Sequence, residues 1–482
     1  MVKAWIQEEL RGVALHDQRL NRRLGEVLWQ LGGRPTASIP AACGGYAETA
    51  AAYRLFDNDK VCFDNVLLPH MEATRRRVAA QSTVIVAQDT TEIDLTRPGR
   101  QVEGAGPLDG GVRRGLFLHL LHAFAPDGTP LGTLSAETWA RQETPAADRK
   151  HRPIEAKESQ RWVDGLRQVC VEASRAPQTH FVCVADSEAD IYELLAEVRG
   201  DAAGVDWIVR ACQNRALCGV DGDASPAPEA AGRLREQVLA TEPLFTHTVS
   251  IRGRKAKVGC EHRGRRQPRQ SRKAVVAVYA RTVTLRPPWR PDRVLTPVTV
   301  NVVAVREVDP PAGDVAVEWL LLTSLPIADA AQVREVVDTY CLRWLVEIVF
   351  RVLKSGCRVE KRRFTHVDRV RPCLAVYLIV AWRALYVCRL GRASPAMSCE
   401  AVFDPAEWQS LWRVVRQCPP PASPPQLQEV VRMVAQLGGY VNRTRPDEPG
   451  PQTVWLGLQR LQDIALCWTL FGPAARKEGK LV

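Results

Sequence analysis

The sequence predicts a mixed α/β fold flanked by helical segments, and three observations predict it. The runs Thr83-Val84-Ile85-Val86-Ala87 and Phe181-Val182-Cys183-Val184-Ala185 are almost wholly apolar, as strands buried on both faces require. Segments of helical period alternate with them. Residues 212–325 carry β-branched runs and turn signals with almost no helical period.

The elements follow in order. Leu10, Val13, Leu20, Leu24, Val27, Leu28 and Leu31 recur at three- and four-residue steps, so residues 10–31 read as one helix, stopped by Gly32-Gly33-Arg34-Pro35. Further helices are expected from Tyr46 through Arg54 and from Val61 to Arg77. The strand at 83–87 is followed by hairpin neighbours at 116–124 and 130–134, joined through Ala125-Pro126-Asp127-Gly128-Thr129. A helix at 158–171 leads to the strand at 181–185, and one at 189–198 to the strand Trp207-Ile208-Val209-Arg210. This alternation argues for an α/β sheet. Within 212–325 a helix is expected at 230–239, with strands at 246–251, 274–283, 298–305 and 317–323, which together read as a β-rich insertion. Residues 330–356 return to a single long helix. After the stretch Pro419-Pro420-Pro421-Ala422-Ser423-Pro424-Pro425, a last helical segment ends near Phe471.

Composition narrows the function. Across 482 residues, 65 Lys and Arg face 54 Asp and Glu, a net charge of +11. A folded chain with that surplus commonly meets a polyanion. Ten cations crowd residues 252–273 (Arg252, Arg254, Lys255, Lys257, Arg263, Arg265, Arg266, Arg269, Arg272 and Lys273) against Glu261 alone, which suits a ribbon lying along phosphates. The first nine residues hold two acids where a signal peptide needs an apolar stretch. The apolar run from Cys373 meets Arg383 after ten residues, too soon for a membrane span of ~20, and reads as a buried core helix. Fourteen cysteines without a CxxC pair are expected to be reduced, in a cytoplasmic protein.

Both apolar runs lead into an aspartate, Asp89 and Asp186. Functional groups collect where buried strands end, and two aspartates on neighbouring strands suit a hard divalent cation. Either one alone reads more readily as a turn or cap residue. In the helix at 330–356, ~100° per residue puts Tyr340, Arg343, Glu347, Arg351 and Lys354 on one face. That face offers one carboxylate among three cations and a phenol, all able to hold phosphate. Asp89, Asp186 and Glu347 together suit two-metal phosphoryl transfer.

The spacing Tyr340-x2-Arg343-x3-Glu347-x6-Lys354 resembles the YREK signature of the insertion-sequence-four family of bacterial DDE transposases, and the chain is similar to its transposon-five branch. Supporting stretches are Ala51-Ala52-Tyr53-Arg54, Asp89-Thr90-Thr91, Lys157-Glu158-Ser159 with Trp162, Asp186-Ser187-Glu188-Ala189-Asp190 and Trp319-Leu320-Leu321-Leu322-Thr323-Ser324. The resemblance implies an RNase H-like catalytic domain at 76–370, with the β insertion at about 212–325. It implies a helical end-binding domain at 1–75 and a helical dimerisation domain at 371–482. Asp89, Asp186 and Glu347 would be catalytic residues and ligands of two Mg²⁺ ions, with Mn²⁺ as a substitute. Tyr340, Arg343 and Lys354 would contact backbone phosphates, Trp319 would stack a flipped base, and Arg210, Arg351 and Arg54 would add DNA contacts. Other candidate contacts are Arg19, Arg22, Arg23, Arg75, Arg76 and Arg77.

The implied partners are double-stranded DNA, as inverted-repeat ends and as target, and a second copy of the chain. No membrane is involved, and the implied place is the bacterial cytoplasm at the nucleoid. One departure stands out: the family's second motif carries Arg where this chain has Ser187, so a cation is expected to be missing there. Glu188 and Asp190 are expected to cap the following helix. Two rivals remain open from sequence: a repressor that binds DNA without chemistry, and a metal nuclease that cuts without joining.

Overall fold

The computed structural model describes residues 3–142, 153–197, 204–218, 232–251, 253, 269–441 and 448–473. In chain order the helices α1 (Ala4–Glu9), α2 (Gln18–Gly33), α3 (Ile39–Cys43), α4 (Tyr46–Phe56) and α5 (Phe63–Ala79) come first. Strands β1 (Thr83–Asp94), β2 (Gly106–Pro107), β3 (Arg114–Phe124) and β4 (Pro130–Trp139) follow. Next come α6 (Gln160–Arg175), β5 (His180–Ala185), α7 (Tyr192–Leu195), β6 (Val205–Arg210) and α8 (Leu234–Leu239). Strands β7 (Phe245–Ile251), β8 (Arg272–Leu285), β9 (Val298–Glu307) and β10 (Glu318–Thr323) precede α9 (Ala330–Leu342) and α10 (Trp344–Arg351). The chain ends through α11 (Val367–Ala393), α12 (Pro405–Arg416), α13 (Leu427–Leu437) and α14 (Pro451–Phe471).

These elements form two compact units. The first comprises residues 1–80, 90–143 and 345–482, and the second residues 81–89 and 144–344. The second unit is a sheet in the order β1-β5-β6-β10-β9-β8-β7. β1, β5 and β6 run parallel, and the remaining pairs are antiparallel. The parallel strands are the apolar ones, as burial on both faces demands, and α6 packs on β5 and β6. The expected β insertion supplies β7 to β10, but it is no separate body. Its last strand β10 pairs with β6, Leu321 opposite Arg210, and so extends the same sheet.

The first unit is built on α11. One stretch of this helix is long and apolar enough to cross a membrane, but 83% of that window is buried against α2, α5, β4, α13 and α14. The β3–β4 hairpin turns where expected: Ala125 and Thr129 close it, the Thr129 amide donates to Asp127 Oδ1 (2.8 Å), and Gly128 takes φ +82°. N-terminal and C-terminal helices share this unit. Arg34 pairs with Asp463 at 2.8 Å, Thr36 bonds Gln459 at 2.9 Å, and Lys3 pairs with Glu407.

Helices α13 and α14 touch backbone to backbone. A Cβ on Gly457 would stand 1.8 Å from the Val434 carbonyl oxygen, and one on Gly438 equally close to that of Thr453. Gly457→Ala is therefore expected to lower stability by about 1–3 kcal/mol through overpacking, despite the better helix propensity of alanine. Thermal unfolding of the variant checks this, and an unchanged melting temperature would mean the helices can separate without loss.

Several expectations change. Residues 10–31 are not one helix. Leu10 ends α1, and Asp17 starts a new helix by accepting from the Arg19 amide, so Leu10 and Val13 lie outside α2. Of the helix expected at 189–198 the described residues form only α7, and of that at 230–239 only α8, residues 198, 230 and 231 lying outside the described residues. The strand expected at 83–87 runs on to Asp94, because Thr90, Thr91 and Ile93 are also good strand formers. The long helix at 330–356 is in fact α9, a turn at Arg343, α10, and a π-helical turn at Val352–Gly356.

Candidate functional site

Within the second unit, β1 and β5 deliver the two aspartates side by side. Their register pairs Gln88 with Ala185, and Asp89 and Asp186 are the next residues on each strand. Adjacent strands lie ~4.8 Å apart, so the carboxylates leave the sheet as neighbours. Asp186 lies just past the end of its strand, and its Oδ1 accepts from the Glu188 amide at 2.8 Å. Asp89 does not: it sits inside β1, 9% exposed.

The end of α9 brings the cationic half of the signature to this pair. Arg343 is its C-cap residue, with the amide bonded to Tyr340 O, and the buried guanidinium donates from Nη1 to Asp89 Oδ2 at 3.2 Å. Tyr340 is also buried. Burial pushes its phenol up, Arg210 and Arg343 oppose that shift, and Asp186 adds to it, so all four groups share one electrostatic neighbourhood. The half-buried ring of Trp319 meets the Tyr340 ring edge-on, with centroids 5.6 Å apart. Arg210 ends β6, and its Nη2 donates to Ser187 Oγ at 3.2 Å. A guanidinium thus stands at the position where the family motif would carry its own arginine.

The second unit by itself therefore gathers Asp89, Asp186, Arg210, Trp319, Tyr340 and Arg343. The other expected residues belong to the first unit. Glu347 and the exposed Arg351 are on α10, and Arg54 is exposed on α4. Lys354 lies in the π turn, which the Cys357 amide closes onto Val352 O at 2.7 Å. This extra residue per turn displaces Lys354 from the angle that regular helical spacing gives it. Gly356 ends the turn and lets the Trp455 ring approach to 3.2 Å of where a Cβ would be. Burial pushes the Lys354 amine down, and Glu360, Glu92 and Asp94 oppose that shift.

Other expected contacts are otherwise engaged. Arg77 is no surface cation: it donates to Glu9 and to Leu131 O, and lies over the Trp382 ring. Arg75 pairs with Glu72 and Arg76 with Glu8. Arg272 is locked to Glu307 of the neighbouring strand β9 and to Asp314 in the loop that follows it. Of the remaining basic tract, Arg252, Arg254, Lys255, Lys257, Arg263, Arg265 and Arg266 lie outside the described residues. Asp190 does not cap a helix. It is buried, accepts the amides of Cys212 and Gln213 at 2.8 Å each, and pairs with Arg215, which pins the loop after β6. Glu188 is exposed.

Two carboxylates at one level of adjacent strands are hard oxygen donors, so this pair fits a divalent cation. Among the described residues, no three His, Cys, Asp or Glu side chains gather tightly enough to enclose an ion. Arg343 is a present counter-charge of Asp89.

Three family models match successive parts of the chain. Residues 2–61 match the family model for a transposase DNA-binding domain, residues 157–381 that for a transposase DDE domain, and residues 379–468 that for the dimerisation domain of the Tn5 transposase. Among solved structures, the chain is similar to a piggyBac transposase synaptic complex with hairpin DNA, seen by cryo-EM. The identity is 8% and the TM-score 0.34, over 85% of this chain and 58% of that protein's length. A DNA-binding, a DDE and a dimerisation model thus match in that order along one polypeptide that also carries the YREK spacing, and the chain belongs to the Tn5-like DDE transposases.

Proposed function

We propose that the protein is a cut-and-paste DNA transposase whose catalytic residues are Asp89, Asp186 and Glu347. The observation that carries the reading is the pair Asp89 and Asp186 on neighbouring parallel strands, with Arg343 and Tyr340 of the signature beside them. Parallel strands bearing two aspartates at one level also support an RNase H-like catalytic domain, at 76–370. Residues 1–75 would bind the inverted-repeat ends, and residues 371–482 would pair two copies.

DDE transposases generally depend on divalent metal. Two Mg²⁺ ions, or Mn²⁺ in their place, would be held by the three carboxylates and would supply an acidified water and charge neutralisation at the phosphodiester. The protein's own groups do the positioning. Arg343, Arg210 and Lys354 would hold backbone phosphates by charge-assisted hydrogen bonds, and Tyr340 would add a neutral donor, since burial raises its phenol. Trp319, edge-on against Tyr340, would offer a flipped base a stacking face. One such site serves strand nicking, hairpin closure by the freed 3′-hydroxyl, hairpin opening and strand transfer, because each is an in-line displacement at phosphorus.

The deciding assay uses DNA carrying the element's own inverted repeats, with Mg²⁺, and compares the native chain with Glu347→Ala. The native chain is expected to give end-specific nicks, hairpins and strand-transfer joints, and the variant to bind without cutting. Binding without cleavage by the native chain would turn the reading to a silent repressor. Cleavage without joints would turn it to a nuclease, and cleavage by the variant would displace the active site.

A further inference from the structure

A buried amide stands next to the first aspartate, and the chemistry above does not use it. Gln88 is fully buried. Successive strand side chains alternate between faces, so Gln88 points away from the face that carries Asp89. Its Nε2 donates to the Trp162 carbonyl at 3.0 Å and to the Arg161 carbonyl at 3.3 Å, both at the start of α6. Its Oε1 receives the Cys183 thiol at 3.6 Å from the neighbouring strand β5. Gly165 makes this approach possible, because a Cβ there would stand 2.1 Å from Gln88 Nε2. One side chain thus ties β1 and β5 to a single helix, directly below the level of Asp89 and Asp186.

We propose that Gln88, seated against Gly165, is a positioning residue that sets the spacing of Asp89 and Asp186 for a divalent cation. The inference rests on the reading of those aspartates as the metal-holding pair. A rigid strand pair alone would not need it: strands slide and twist by fractions of an ångström, and cation affinity is sensitive to such shifts in its donors. Groups behind metal ligands commonly change affinity or activity by roughly 10–100-fold when removed.

The test uses the full-length protein and four variants. Gln88→Met keeps the shape of the side chain and loses its hydrogen bonds. Gly165→Ala keeps the Gln88 side chain but forces its amide to shift, and alanine is the better helix former. Thr179→Val removes a comparably buried tie between the same segments at their other end, where Thr179 Oγ1 donates to the Gln81 carbonyl at 2.8 Å. Asp89→Asn reports on the site itself. Mn²⁺ binding is followed by calorimetry without DNA, and single-turnover cleavage against Mg²⁺ concentration with it.

Gln88→Met and Gly165→Ala are expected to weaken Mn²⁺ binding roughly tenfold and to raise the half-saturating Mg²⁺ similarly, with DNA affinity unchanged. Thr179→Val should lose thermal stability and keep native Mn²⁺ binding. Native Mn²⁺ affinity in both Gln88→Met and Gly165→Ala, or an equal loss in Thr179→Val, overturns the proposal. If Gln88→Met does not fold, Gly165→Ala decides it alone. If Asp89→Asn binds Mn²⁺ as the native chain does, the reading of the aspartates has failed. If Asp89→Asn abolishes binding while Gln88→Met and Gly165→Ala both keep native affinity, only the positioning role has.

Discussion

Asparagine in place of Asp186 is expected to lower single-turnover cleavage roughly a thousandfold, about 4 kcal/mol in barrier, while leaving DNA binding equal or tighter. The substitution isolates charge from structure. Asp186 Oδ1 accepts from the Glu188 amide at 2.8 Å and so caps the short turn after β5. Asparagine caps such turns as well as aspartate, so the turn persists, as does the bond from Arg210 to Ser187. What disappears is one of two carboxylates able to hold a cation, on a surface that otherwise offers arginines to phosphate. Removing a negative charge there relieves repulsion with DNA, which is why affinity should not fall. Gel shift and single-turnover cleavage on the same DNA measure the two halves separately. Equal cleavage by variant and native chain would exclude Asp186 from the chemistry, and a protein that only binds would show no difference in any cleavage assay.

The site was visible in sequence where its chemistry is spaced along one element or announced by an apolar run. Tyr340, Arg343, Glu347 and Lys354 declare themselves by separation alone, and the runs at 83–87 and 181–185 point to Asp89 and Asp186. Period reading failed where the backbone departs from a regular repeat. The turn at Arg343 and the π turn at Val352–Gly356 leave the apolar pattern of 330–356 intact, so nothing in the spacing shows that the helix is interrupted. Charge reading failed where partners come from distant sequence. Arg77 looks like the end of a basic run, yet its partner Glu9 is 68 residues away. Arg272 looks like part of a phosphate-binding tract, yet Glu307 lies 35 residues on, next to it in the sheet. Gln88 carried no signal at all, since a buried amide between an apolar run and an aspartate is indistinguishable from a strand's polar end. Its close seat against Gly165 emerges only in the fold.

Arg77 carries the largest expected effect on stability. Its Nη1 donates to Glu9 Oε1 at 2.7 Å, its Nε donates to the Leu131 carbonyl at 2.6 Å, and the guanidinium lies 4.3 Å from the Trp382 ring centroid. The other oxygen of Glu9 meets His70 Nδ1 at 2.5 Å, and the Thr133 amide donates to His70 Nε2 at 3.2 Å. Glu9 and His70 are 2% and 0% exposed, so this network ties α1 to α5 and β4 in a dry interior. Burial alone would push the Glu9 carboxyl up; His70 and Arg77 outweigh it and hold the carboxyl below the usual glutamate range. Arg77→Met leaves that charge in place with one cation gone. Breaking a buried pair in this way destabilises by about 3–5 kcal/mol, and the lower end is expected because the Arg77 side chain is 21% exposed. Chemical denaturation measures it, and Glu9→Gln in the Arg77→Met background should recover part of the loss; additive losses would mean the pair is not coupled. The same network sets an acid response. Glu9, with its lowered value, contributes stability that is complete above the usual glutamate value of about 4.3 and is lost as pH falls through its folded value. His122 acts earlier. Burial, His70 and Arg77 push it well below the usual imidazole value, so below about pH 6.5 the unfolded chain takes up a proton that the folded chain refuses. Stability should therefore fall by up to about 1.4 kcal/mol per pH unit beneath that point. His122→Leu should flatten the fall between about pH 6.5 and 5, and an unchanged slope would place the acid sensitivity elsewhere.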